Sequence, residues 1–115
     1  MPTKEELLAS NIKEFYGEGM NALKRKAYNS AASLFFKALA VLADWHILLK
    51  EGFIPKSHTD RFRILEQKYP QIYALLDKDF PAYQESYSIS LSKETAEVIE
   101  NDVRAVAKET GFKLD

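Results

Sequence analysis

The chain has 115 residues, 46% of them hydrophobic and 29% charged, with 16 basic against 17 acidic side chains and a net charge of -1. Such a length suits one domain with a sizeable core, and the charge balance excludes a global field that would draw the chain to nucleic acid or an anionic membrane. Cysteine is absent, which excludes thiolate metal sites and thiol catalysis. Together with an N-terminus, MPTKEELLAS, that lacks an apolar signal region, this points to the cytoplasm.

Thr3 followed by Glu6 predicts a capping box and a first helix with an inner stripe of Leu8, Ile12, Phe15, Tyr16 and Leu23. Gly17 and Gly19 interrupt that stripe, so they either admit a close neighbouring helix or split this one in two. With Ala22 they spell G-x-G-x-x-A, but a dinucleotide-binding loop must follow a strand, and Ile12 to Tyr16 are helical in pattern. The connection at Arg25-Lys26-Ala27-Tyr28 is short, which makes the first two helices antiparallel neighbours.

Ala27 to Gly52 reads as a central helix. Its polar positions Lys26, Ser30, Ser33, Lys37 and Asp44 leave a narrow wet strip, and the rest of its surface is apolar. Other helices or a second subunit must cover it. Lys37, Asp44 and His46 interrupt the run, so no stretch of about 20 uncharged residues spans a bilayer, and no membrane role is expected.

Gly52 and Pro55 end this helix, and Ser57 or Thr59 caps a third through Tyr69, with Phe62, Leu65 and Tyr69 inward. Pro70 opens a fourth helix, whose stripe Tyr69, Tyr73, Leu76, Phe80, Tyr83 and Tyr87 alternates spacings of four and three. Pro81 lies inside it and predicts a kink, or a break near Asp79. Ser86 to Ser92 reads as an extended linker. Ser92 caps a last helix with Ala96, Ile99, Val103 and Val106 inward and a Glu100–Arg104 pair, ended by Gly111. The fold class is all-α, an antiparallel up-and-down bundle of four or five helices in a single domain. Tyr28 to Leu39 has the look of half a tetratricopeptide unit, but no repeat of it follows.

Lys56, His58, Arg61 and Arg63 gather positive charge at a helix N-terminus, a setting that suits a nucleotide or RNA phosphate. A plainer reading has His58 helping to cap its helix and the arginines solvated, with Asp60 partly cancelling their field. The tyrosine stripe is spaced for packing in a core or dimer interface, and Tyr83 and Tyr87, near the Pro81 position, are its members best placed to line a groove and stack a base. His46 reads as a helix-end residue, and Lys24-Arg25-Lys26 as a solvated face. Asp77 and Asp79, or Glu97 and Glu100, have no histidine nearby to complete a metal set. No catalytic residue, metal or cofactor is assigned.

The order of these features, namely Tyr28, the Phe35-Phe36 pair with Lys37-Ala38-Leu39, then Gly52 and Pro55-Lys56-Ser57-His58, resembles the HEPN domain family of prokaryotes. The likeness continues through Tyr83 to Tyr87 and Leu91 to Ala96, and covers roughly Leu23 to Lys108. It implies a helical bundle, commonly a homodimer, often working beside a small nucleotidyltransferase. Many relatives are metal-independent RNases that use an arginine four to six residues before a histidine. Here no arginine lies four to seven positions before His46 or His58. In a related branch an arginine and an aspartate precede the tyrosine; Ala82 and Ser86 stand in their places, and only Tyr87 matches. The resemblance therefore implies a non-catalytic, dimeric protein that binds a nucleotide or the partner nucleotidyltransferase. Its binding residues would be Lys56, His58, Arg61, Tyr83 and Tyr87. One alternative is a divergent RNase acting on RNA through His58 with Arg61, or with Arg25 of a second subunit. Another is a helical module for protein–protein interaction.

Overall fold

Five helices and no strand make up the computed structural model, which describes every residue from Met1 to Asp115. They are α1 (Lys4–Lys24), α2 (Tyr28–Glu51), α3 (His58–Lys68), α4 (Pro70–Glu85) and α5 (Lys93–Thr110). The Thr3 capping box forms in full: the Glu6 amide donates to Thr3 Oγ1 at 3.1 Å and the Thr3 amide to Glu6 Oε1 at 2.8 Å.

α1 runs unbroken through both glycines. Of the two expectations for them, close approach holds at Gly19, where a Cβ would lie 2.6 Å from a ring carbon of Phe35 on α2. The G-x-G-x-x-A pattern thus sits inside a helix and cradles a neighbour's side chain. The turn into α2 is closed by Lys26, whose φ of 63° is left-handed without being glycine. This strain costs about 1 kcal/mol. It lets the Ala27 amide reach back to the Ala22 carbonyl at 2.9 Å, satisfying the end of α1.

α2 touches all four other helices and supplies the centre of the core, with Phe35, Phe36, Leu39, Leu42 and Ile47 almost wholly enclosed. Its 24 residues are long and apolar enough to cross a membrane by length and composition, so Lys37 and Asp44 do not by themselves prevent that. In this fold its apolar surface is spent on the bundle core instead.

Ser57, not Thr59, caps α3, accepting from the Asp60 amide at 3.1 Å. α4 begins at Pro70 and continues through Pro81 without the expected break near Asp79. Asp77 and Pro81 both lie on the exposed side, so the carbonyl that Pro81 frees meets water. Ser86 to Ser92 is not extended from its start: it first continues in turns, and the Ile89 amide bonds the Glu85 carbonyl at 3.0 Å. Asn29 on α2 fixes this segment, its Nδ2 donating to the carbonyls of Ser86 and Ile89 and its Oδ1 accepting from the Leu91 amide. α5 buries Ala96, Ile99, Val103 and Val106 as its spacing demands. Glu100 pairs with Arg104 at 2.8 Å and also accepts from the Tyr16 hydroxyl at 2.6 Å. Burial first, and that hydrogen bond second, push the Tyr16 phenol above its usual range.

Candidate functional site

The start of α3 uses most of its own charge. Asp60 accepts from the Lys56 amide at 3.2 Å and pairs with Arg63 at 2.5 Å. Arg61 turns inward, its Nε and Nη2 donating to the two carboxylate oxygens of Asp44 on α2 at 2.8 and 2.9 Å. The side chains of this pair are only 12% and 8% exposed. Of the predicted cations, Lys56 alone lacks a carboxylate partner, and it stands exposed outside every hollow described below.

His58 is oriented by the same arginine. Arg61 Nη1 lies 2.7 Å from His58 Nδ1, and because a guanidinium only donates, Nδ1 accepts and the ring proton is on Nε2. Burial first, and the Arg61 charge second, hold the imidazole below its ordinary 6.5, with Asp44 pulling the other way. The ring is therefore neutral at neutral pH. It packs 5.7 Å from Phe80 and 6.3 Å from Tyr83.

Between these groups opens a pocket of about 230 Å³. Phe15 of α1 and Phe36, Ala40 and Val41 of α2 give it apolar walls, while Lys37, His58, Arg61 and Tyr83 bring polar atoms to it. A second hollow of about 360 Å³ lies farther along the same face of α2, between Ser30, Ser33, Leu34 and Tyr87. The tyrosines join the two, with hydroxyls 3.2 Å apart. That bond first, and burial second, raise the Tyr83 phenol above its ordinary value.

The fold thus brings together His58, Arg61 and Tyr83, sets Tyr87 one turn away, and leaves Lys56 outside. Tyr83 stacks on Phe36 at 4.8 Å, so one of its faces is spent on packing. Tyr87 meets Tyr83 edge to face at 5.7 Å but is 73% exposed, so most of its ring is open to solvent. Sequence reasoning passed over Lys37 as part of a wet strip. The available signal was its spacing, seven residues before Asp44, which places both on one helix face. His46 lies elsewhere, edge-on to Tyr69 at 4.8 Å.

The arrangement can hold an aromatic or apolar group on its walls and an anion at Lys37. It contains no group of three His, Asp or Glu side chains that could hold a metal ion. No protein-family model, no curated protein and no solved structure matches the chain.

Proposed function

We propose that this chain is a HEPN-type binding protein without catalytic activity, which holds a nucleotide along α2 and works as a dimer beside a small nucleotidyltransferase. One observation carries the reading: Arg61, the arginine beside a histidine, is committed to buried Asp44, while Lys37 stands at an apolar pocket with no ion pair. An RNase arginine must be free to meet the charge that develops on phosphate, and this one is occupied. A nucleotide would set its base against the walls or the free face of Tyr87 and its phosphate at Lys37. The dimer and the nucleotidyltransferase rest on the family resemblance alone.

Calorimetric titration of the full chain with AMP, ATP and a short single-stranded RNA tests this. Saturable nucleotide binding is expected, weakened about tenfold or more by Lys37→Ala through loss of a charge-assisted hydrogen bond. Absence of binding to all three overturns the proposal.

A second reading, a divergent RNase, is favoured by the 2.7 Å approach of Arg61 to His58 within one protomer. In that reading His58 Nε2 exchanges the proton and Arg61 acts through its ring. RNA cleavage that His58→Ala abolishes would establish it over the first.

A further inference from the structure

Asp79 of α4 is only 3% exposed, and its Oδ2 is buried without a hydrogen-bond partner. Its other oxygen meets Lys78 Nζ at 3.1 Å. The same ammonium reaches across the α4–α5 seam to Asp102 Oδ2 at 2.7 Å. One lysine therefore serves two carboxyl groups. Burial works against the charge on Lys78, but its bonds to Asp102 and then Asp79 outweigh that and keep it an ammonium. If both acids were ionised, one excess negative charge would stay at a largely enclosed seam, with one acceptor unpaired.

A proton on Asp79 resolves both difficulties, since it turns the orphaned Oδ2 from acceptor into donor and removes the excess charge. Lys78 bonds both acids and so brings Asp102 beside Asp79 as the available acceptor. We infer that Asp79 folds as the neutral acid, that its Oδ2–H donates to the Asp102 carboxylate, and that this shared proton latches α4 to α5.

The groups that act on Asp79 are Lys78 from its own helix and Asp102 from α5; α2 and α3, which also pack on α4, bring no charge to bear on it. Burial first, and the Asp102 hydrogen bond second, raise its pKa to about 7, against the pull of Lys78. The latch is thus poised to open as pH rises past neutrality, when two carboxylates would share one ammonium. A hollow of about 220 Å³ beside it, between Ala82, Thr95 and Val98, gives α4 room to shift. One turn farther along α4 stands Tyr83, which lines the pocket at His58. The wall of that groove is therefore fastened by a proton, whatever the groove binds.

Urea unfolding of the full chain, wild type against Asp79→Asn, tests the latch. The folded acid keeps a proton that the unfolded side chain loses above about pH 4, so wild-type stability falls as pH rises through that window. Relative to the variant, whose amide donates at every pH, the wild-type unfolding constant should increase about tenfold per unit between about pH 5 and 7, then level off. The comparison cancels the titration of His46 and His58, which both proteins share. A ratio that does not change with pH overturns the inference. The ¹³C shift of the Asp79 carboxyl in the wild type gives a second measure that needs no variant. Titration near neutrality is expected, and titration complete below about pH 5 overturns the inference.

Discussion

Arg61 spans from α3 to Asp44 of α2 with two hydrogen bonds, at 2.8 and 2.9 Å, and gives its remaining nitrogen to His58 at 2.7 Å. This pair is the more buried of two ion pairs between these helices, the other being Lys68–Glu51 at 2.7 Å. Its energetic weight lies in what is left when one partner goes. Arg61→Ala strands Asp44, 6% exposed, without a counter-charge, and should destabilise the fold by about 3 kcal/mol in urea unfolding. Arg61→Met combined with Asp44→Leu removes both charges and should recover most of that loss. A double variant as unstable as Arg61→Ala would show that the pair contributes packing rather than charge compensation.

His58 reports on the same contact through pH. Its folded pKa lies below the ordinary 6.5, from burial first and Arg61 second. The unfolded chain therefore takes up this proton before the folded one does, and stability is lost as pH falls from about 6.5 toward the folded value. Relative to His58→Gln, the wild type should lose stability as pH falls below about 6.5. Nuclear magnetic resonance titration of the ring should show its pKa rising in Arg61→Ala, because the nearby cation is gone.

The two glycines of α1 should answer alanine with opposite signs. Gly17 has nothing within 4 Å of a new Cβ, so Gly17→Ala gains helix propensity and should stabilise by about 0.5–1 kcal/mol. At Gly19 the new methyl would lie 2.6 and 2.7 Å from two ring carbons of Phe35, itself fully buried. Gly19→Ala should destabilise by about 1–3 kcal/mol as the ring is forced aside. Thermal or urea unfolding of the two variants side by side checks this.

The helices were legible in the sequence because their signals are local. Thr3 with Glu6, Ser57 and Ser92 mark starts, Gly52 and Gly111 mark ends, and the spacing from Ala96 to Val106 marks a buried face. Pro81 misled in part, because local pattern does not say whether a freed carbonyl meets water or core. Lys26 gave no sign of its left-handed φ, since glycine is the usual residue there. At the candidate site the cluster from Lys56 to Arg63 was legible as charge, but not its consumption. Asp44 lies 17 residues before Arg61, on another helix, and only the packed bundle shows that it claims the guanidinium. In the sequence Asp79 stands only as half of an incomplete metal set, and its burial near Asp102 likewise depends on how α4 meets α5.

Asn29 shows how far such non-local ties reach, and it yields the last prediction. Its Nδ2 donates to the carbonyls of Ser86 and Ile89 at 2.9 and 2.5 Å, and its Oδ1 accepts from the Leu91 amide at 2.9 Å. These bonds hold the segment that carries Tyr87 against the start of α2. Asn29→Ala should cost about 2 kcal/mol, and amide exchange at Leu91 should speed up about thirtyfold, in proportion to that loss. Asn29→Asp keeps the acceptor for Leu91 but turns a carboxylate toward two carbonyls, so near neutral pH it should be less stable than the alanine variant. Hydrogen exchange across Ser86 to Ser92, with urea unfolding of both variants, makes the comparison. An aspartate variant as stable as the wild type, and more stable than the alanine one, would mean that the donor bonds to Ser86 and Ile89 contribute little and that the Leu91 amide alone fixes the segment.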